Sequence, residues 1–543
     1  MRRRYGAVLA VFLGWIVVYP ITLVVVESFR GPDGWTLVNV VGFIRDPSEW
    51  SALWNSIWIS LASVVLAGVI GVPLAFVFER LEFPGRKVLG ALVALPIVLP
   101  PLVGVIAFLF LYGESGIVAR AVTGLLRIDE SPWRLRGAGA ILLVHAYSMY
   151  VYFYLFVRAG LAKIDSSMIE AAQSLGHMPV DIVRKVTLPL LKPQLAAAAL
   201  LALMTSLGSF SAPYIFGGGF RVMTTQIVAS KLNGDMPAAM VETTLLATVA
   251  LAGLFLFRRF QGERSVAIMS KGIPATATQI SQPIARWGAA IIGWLFALFL
   301  LLPHITLVMV SLVPLNAWTT EILPARYSLT NYATLIGEPE RLRPLLNSLW
   351  MAAASTVAVL GVALWAGREI VQRKVRMRGA IERLLSVPWA VPGTVLAIAL
   401  ATMFSLKAPL AGRWVLVGTV VILPLAYFVR NIPIAAGAVV AGFRQLDPSL
   451  AEAAASLGAG RFRTIWKVTM PLLRPALLVG GALAFATAVG DFVTSVVLYT
   501  FETRPISIEI LGALRQFDIG QAAAYGVVLM FVTAGAMALG TRR

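Results

Sequence analysis

Asp165-Ser166-Ser167-Met168-Ile169-Glu170-Ala171-Ala172-Gln173-Ser174-Leu175-Gly176 leads into Arg184-Lys185-Val186-Thr187-Leu188-Pro189-Leu190-Leu191-Lys192-Pro193. The same stretch returns as Asp447-Pro448-Ser449-Leu450-Ala451-Glu452-Ala453-Ala454-Ala455-Ser456-Leu457-Gly458, followed by Trp466-Lys467-Val468-Thr469-Met470-Pro471-Leu472-Leu473-Arg474-Pro475. The offset between the copies is a constant 282, at the aspartates, the glycines and both prolines. Self-similarity at this range is the signature of an internal repeat. In each copy an aspartate stands where it can cap a helix, and Pro448 fits the first helical position, where a missing N–H costs nothing. Glu-Ala-Ala continues a short helix with good helix formers, and glycine ends it by taking the left-handed conformation. A second, basic helix follows and runs to Leu188-Pro189 or Met470-Pro471. Each copy is a helix–glycine–helix elbow between strongly apolar segments.

Those apolar segments set the fold class. The chain has 543 residues, of which 59% are hydrophobic and only 13% charged, and its mean hydropathy is +0.83. A water-soluble domain carries about a quarter charged residues. The apolar runs are about twenty residues long and lack strand alternation, so they predict membrane-spanning helices rather than a barrel. With no cysteine, disulfides and thiolate metal sites are excluded.

Met1-Arg2-Arg3-Arg4 followed by an apolar run to about 26 imitates a signal peptide, but no small-residue cleavage site follows, which points to a retained anchor helix. Further spans are expected near 52–79, 88–112, 138–159, 194–216 and 237–257, then near 287–313, 344–366, 380–405, 413–437, 476–499 and 520–540. The reading is an all-α polytopic membrane protein of twelve transmembrane helices in two homologous six-helix halves, 1–258 and 286–543, joined by a polar linker at 259–285. The elbows occupy the loops 161–193 and 441–475. Asn55-Ser56-Ile57-Trp58 matches Asn347-Ser348-Leu349-Trp350, and Pro96 and Pro100 match Pro388 and Pro392, at an offset of 292. The change from 292 to 282 places about ten extra residues in the first half, most simply around 113–137. An even number of spans per half gives two halves of like orientation facing a central path.

With a cytoplasmic N-terminus, 27 of the 45 Lys and Arg residues fall in cytoplasmic segments and 15 outside, with Arg158, Arg383 and Arg430 near expected helix ends. The bias puts both termini and both elbows in the cytoplasm. The net charge of +19 is then a topology signal and a contact with anionic lipid, with nothing favouring nucleic acid.

No G-x-x-x-x-G-K-[ST] loop occurs, so ATP must be bound elsewhere. The three histidines, His145, His177 and His304, are not at ligand spacing. No nucleophile–base constellation stands out, and no metal or catalytic site is expected. Polar residues inside spans are the candidates for a path. They are Asp491, its repeat mate Ser209, and Asn55 and Asn347, each with the competing role of tying helices together. Pro96, Pro100 and Pro101, with Pro388 and Pro392, must kink or break the third and ninth spans, and these bent helices, Pro100 and Pro392 above all, are expected to line the path. The tyrosines at 147, 150, 152 and 154 read as packing aromatics. An ion-coupled secondary transporter would call for several intramembrane acids, and gives no reason for two Glu-Ala-Ala elbows.

Glu-Ala-Ala, three residues, Gly, nine residues, an aliphatic, one residue, then Leu-Pro is similar to the signature loop of ABC-importer permeases, with Met470 replacing the usual leucine. A single chain of two six-span halves resembles the ferric-iron and thiamine permease group. Asn-Ser near the second span, Tyr112-Gly113 with Gly116, Gly490-Asp491-Phe492 and Thr503-Arg504-Pro505-Ile506-Ser507 extend that resemblance over nearly the whole chain. Two well-formed elbows look more like the ferric-type branch.

The resemblance implies that each elbow is a coupling helix seated in a separate cytoplasmic ABC ATPase. Two copies of that ATPase would bind ATP and Mg, so this chain itself carries no cofactor and is no enzyme. Asp165, Glu170, Ala171, Ala172, Gly176 and Pro189, with Asp447, Glu452, Ala453, Ala454, Gly458 and Pro471, are the implied coupling residues. A solute-binding protein would deliver the cargo on the outer face of the inner membrane. Ferric iron or a related small anion-bound solute is the expected substrate, with thiamine, sugar-phosphate or phosphonate as alternatives. Transport would proceed by alternating access.

Overall fold

The computed structural model describes residues 2–31, 33–261, 278–279, 282–315, 317–318, 321–373, 375–405, 408–412 and 414–541. Most of the expected linker lies outside the described residues; its ends are helical, because the helix begun at Met236 reaches Gln261 and the next starts at Pro283.

Among the described residues ten helices are long and apolar enough to cross a membrane, and twelve spans result when each of two bent helix pairs is counted as one. In the first half these are span 1 (Tyr5–Ser28), span 2 (Pro47–Arg80), span 3 (Pro101–Leu126), span 4 (Gly137–Leu161), span 5 (Lys192–Leu207) and span 6 (Met236–Phe257). Span 5 leaves the elbow segment Pro179–Leu190 at 68°. The second half holds span 7 (Pro283–Ser311), span 8 (Pro339–Gln372), span 9 (Arg378–Ala390 and Gly393–Ser405, bent by 107°), span 10 (Ile422–Gln445), span 11 (Phe462–Val489) and span 12 (Ile519–Gly540). The fold is all-α and polytopic, as the hydropathy demands.

Three expectations shift. Span 10 starts at Ile422 rather than near 413, because Gly418 at φ +85° turns the apolar run before it becomes helical. Arg430, seven residues from the end of the expected span, stands eight residues from the start of the observed one. Pro388 is accommodated inside the helix Arg378–Ala390, and the chain breaks at Val391-Pro392 instead. Spans 5 and 11 end early, at Leu207 and Val489, and each restarts after a break of three residues as Ser211–Phe216 or Val493–Leu498. The break in the first half's third span runs through a 3-10 turn, Leu95–Val98, to Pro100. The extra residues of the first half include the helix Ile117–Leu126, which forms the end of the stretch counted as span 3.

The halves are not separate in space. Span 1 packs against span 9 of the second half, and span 7 packs against span 3 of the first. Trp15 Nε1 donates to the Leu410 carbonyl (2.9 Å) and Tyr147 Oη to the Leu300 carbonyl (2.8 Å). Tyr154 donates to the Gly90 carbonyl and Tyr150 to that of Val93, so these rings are buried pins between helices. With lipid as apolar as leucine, helix association rests on close packing and interhelical hydrogen bonds. At Gly71 a Cβ would lie 2.4 Å from the Tyr150 carbonyl oxygen, so only glycine lets spans 2 and 4 approach so closely. The second limb of span 9 is buried at every residue from Gly393 to Phe404, as befits a helix apolar all round.

Candidate functional site: two elbows and a central closure

Both elbows form as their residues dictate. Asp165 accepts a hydrogen bond from the Ser167 backbone N–H (3.1 Å) and Asp447 from that of Ser449 (2.9 Å), capping the helices Ser166–Ser174 and Pro448–Ser456. Gly176 (φ +79°) and Gly458 (φ +78°) terminate them in the left-handed region. The N–H one residue beyond each glycine returns to the Ala172 or Ala454 carbonyl (3.2 and 2.9 Å), the closure of a Schellman-type turn. Ala172 and Ala454 are buried under their elbows, whereas Glu170, Ala171, Glu452, Ala453, Pro189 and Pro471 are exposed. Apolar side chains also face outward: Leu175, Met178 and Val180 on one elbow, Leu457, Phe462 and Trp466 on the other. Large contiguous apolar exposure marks an interaction surface.

The Asp447 carboxyl is held below the usual carboxylate range, chiefly by the Ser449 backbone N–H and then by its hydroxyl. A group depressed in the folded state contributes stability that is present above its unfolded value and lost as pH falls through the folded one. Protection of the Ser449 amide from hydrogen exchange is therefore expected to stay constant at neutral pH and to fall only below about pH 4. Loss of protection already at pH 6 would contradict the cap.

Four of the path candidates, Ser209, Asp491, Pro100 and Pro392, come together where the two halves meet. The breaks of spans 5 and 11 meet there, with the Phe210 and Phe492 rings 5.4 Å apart and both buried. A Cβ on Gly208 would sit 3.6 Å from Pro392 Cα, and one on Gly490 2.9 Å from Pro100 Cβ. Each half's broken fifth helix thus abuts the other half's broken third helix. Ser209 and Asp491 lie within those breaks, and their carbonyls accept from Thr224 Oγ1 (2.7 Å) and Ser507 Oγ (2.9 Å).

Their side chains differ. The Ser209 hydroxyl joins His145 Nε2 (2.9 Å), whose Nδ1 lies 2.8 Å from Ser63 Oγ and 3.2 Å from Ser206 Oγ. Asp491, 1% exposed at its side chain, accepts from Arg430 Nη1 (2.7 Å), the Thr494 hydroxyl (3.0 Å) and the Thr494 N–H (2.8 Å). Sequence reading missed Arg430 because its partner Asp491 lies 61 residues away in the chain.

Asn55 and Asn347 bond to the returning chain instead. Asn55 Nδ2 donates to the Arg221 carbonyl (2.9 Å), and Asn347 Nδ2 to those of Glu502 and Arg504 (3.0 and 3.1 Å). Ser56 and Ser348 accept from the Met223 and Ile506 amides (2.7 and 2.9 Å). The Asn-Ser pair therefore fastens the chain that returns after each central break, which is the tying role weighed against a path role.

The repeated module is recognised independently. The family model for binding-protein-dependent transport system inner membrane components matches residues 67–263 and again 359–541. A probable ABC transporter permease protein of Sinorhizobium fredii is 29% identical over 89% of this chain and 84% of its own length. The ferric transport system permease protein FbpB of Actinobacillus pleuropneumoniae is 26% identical over 97% of this chain and 76% of its own. The thiamine transport system permease protein ThiP of Escherichia coli is 26% identical over 96% and 95%. Two matched modules in one chain, each carrying an elbow and a broken central helix, leave one conclusion: the chain belongs to the binding-protein-dependent transport system inner membrane components, as a fused two-half permease of an ABC importer.

Proposed function

We propose that this permease forms the path of an ATP-driven ferric-iron importer. Its two elbows are sockets for two copies of a cytoplasmic ATPase that holds the ATP and Mg. The observation that carries the coupling role is the pair of glycine-turned elbows, related by the repeat, that expose apolar side chains beside Glu170 and Glu452. An even number of spans separates them, so both face the same side, which the Lys and Arg bias makes the cytoplasm. The ferric preference rests on similarity to ferric permeases over most of the chain; thiamine is the alternative from the same group.

Movement of the elbows with the ATPase dimer would rock the two halves. Because spans 5 and 11 continue directly from the elbows into the central breaks, that motion would part Phe210 from Phe492 and Gly490 from Pro100. A solute-binding protein on the outer face would load the opened path.

The chain lacks cysteine, so single substitutions report topology directly. Leu175→Cys and Leu457→Cys are expected to react with an impermeant maleimide only in inside-out vesicles, and less once the ATPase is bound. Proteoliposomes holding the permease, ATPase and binding protein should take up 55Fe(III) citrate only with internal or added ATP at the ATPase side. Labelling from outside, or uptake indifferent to ATP, would end this reading.

A further inference from the structure

Glu49 stands in the first turn of span 2 and Glu242 in the second turn of span 6, on the side opposite the elbows. Both are buried, at 9% and 1% exposure. Their carboxyl groups lie within hydrogen-bonding reach of each other. One oxygen of each is satisfied by a neutral donor: Glu49 Oε1 accepts from Gln226 Nε2 and Glu242 Oε1 from Ser230 Oγ, both at 2.6 Å. The second oxygens, Glu49 Oε2 and Glu242 Oε2, are buried with no partner among the described residues. Gln226 and Ser230 share the helix Met223–Leu232, which returns after the break of span 5. Lys231, beside Ser230, crosses to the second half and donates through Nζ to the Val497 carbonyl. The carboxyl pair thus anchors the helix that closes onto the opposite half.

The second half fills the same positions differently. An offset of 292 equates Glu49 with Arg341, and the helix starts Met223 and Ile506, Met236 and Ile519, give 283 beyond the break. Gln226 and Glu242 then correspond to Glu509 and Tyr525. There Glu509 pairs with Arg504 (2.8 Å), Arg341 with Glu338 (2.6 Å), and Tyr525 Oη donates to the Arg341 carbonyl (2.7 Å). Glu49 and Glu242 have no such cation beside them. Asp46, Arg221 and Asp235 act on the pair only through space. Glu27 and Arg30, at the end of span 1, pair with each other (3.0 Å), and Arg45 is exposed. On span 4, Arg158 is bound to Glu79 (3.1 Å) and His145 to Ser63 (2.8 Å). The limb Gly393–Ser405 of span 9 carries no charged residue.

We propose that Glu49 and Glu242 form a proton-binding site, in which one shared hydrogen ion joins the two unpartnered oxygens and fixes the helix Met223–Leu232. Two carboxyl groups in contact cannot both ionise, and a buried charge without a partner is costly. A metal ion would need more oxygens than the two left free, since calcium takes about six to eight. Release sends the proton to the outer medium and leaves two anions in contact, which drives span 2 from span 6 and frees the helix with its Lys231 contact. The tie is complete while the proton is held and is lost as pH rises through its release, because the tied state binds the extra proton. The outer closure is thereby sensitive to the pH outside. This goes beyond the importer reading and depends on neither its cargo nor its ATPase.

The full-length permease in lipid nanodiscs tests both points. The infrared difference between wild type and Glu242→Gln should contain the carbonyl stretch of one protonated carboxyl, shifted by deuteration. In the variant the glutamine amide replaces the shared proton as donor to Glu49, so the tie survives but no longer titrates. Deuterium exchange, corrected for the intrinsic effect of pH, should show wild-type protection of Met223–Leu232 falling about tenfold per pH unit once the proton leaves. Glu242→Gln should keep the protection that the wild type shows at neutral pH. Absence of the protonated-carboxyl band overturns the site. Wild-type protection that stays flat into alkaline medium, or a decline that persists in Glu242→Gln, overturns its hold on the helix. If Glu242→Gln fails to insert, Glu49→Gln makes the same comparison with donor and acceptor exchanged.

Discussion

Valine at both Gly176 and Gly458 leaves the permease inserted and folded but stops uptake. The two glycines have φ of +79° and +78°, and a Cβ at either would meet nothing within 4 Å. The obstacle is therefore the backbone alone. An L-residue in the left-handed region costs about 1–2 kcal/mol, and a β-branched side chain is the least tolerant of it. Each elbow would then abandon its bend, and at about 1.4 kcal/mol per tenfold the pair of substitutions multiplies to a loss of roughly a hundredfold in properly formed double sockets. Asparagine tolerates this conformation, so Gly176→Asn with Gly458→Asn should retain much of the uptake at the same expression level. The comparison separates backbone geometry from loss of glycine as such. Uptake of 55Fe(III) citrate by the valine pair equal to that of the wild type would show that the bend has no part in coupling.

The second large effect belongs to the centre. At Gly490 the Pro100 side chain stands 2.9 Å from where a Cβ would be, whereas at Gly208 the nearest Pro392 atom is at 3.6 Å, an ordinary contact. Overpacking of a well-filled interior costs about 1–3 kcal/mol, a shift of roughly 5- to 150-fold between two states. Gly490→Val should therefore destabilise the closed centre and let a trapped small solute escape from proteoliposomes, while Gly208→Val does so much less. The rank order is the test. Equal tightness of the two variants, or a leak from Gly208→Val alone, would mean that the Gly490–Pro100 contact does not seal the path.

The elbows were legible in the sequence almost residue by residue. Their chemistry is local: a capping aspartate, a run of helix formers and a glycine act within a dozen residues, so no distant contact is needed to read them. The breaks of spans 3 and 9 were legible for the same reason, although Pro388 shows the limit. A proline inside a helix is tolerated where neighbours satisfy the freed carbonyl, and the bend moved to Pro392.

Arg430 was not legible. Its partner is 61 residues away, and nothing in the primary pattern joins the two. The same applies to Asn55 and Asn347, whose bonds to carbonyls 166 and 155 residues away make them fasteners of the returning chain.

By itself, the sequence determined that the protein spans a membrane with helices, that it does so in two like halves, and that each half presents an elbow. Hydrophobic length, repeat spacing and capping are properties of contiguous residues. Only the tertiary structure decided that spans 1 and 7 cross to the opposite halves, that four helix breaks converge on one closure, and that the two halves furnish it with different polar groups. Those outcomes depend on which buried surfaces fit together and on which polar atom satisfies another in a medium without water. Such pairings are fixed by packing in three dimensions.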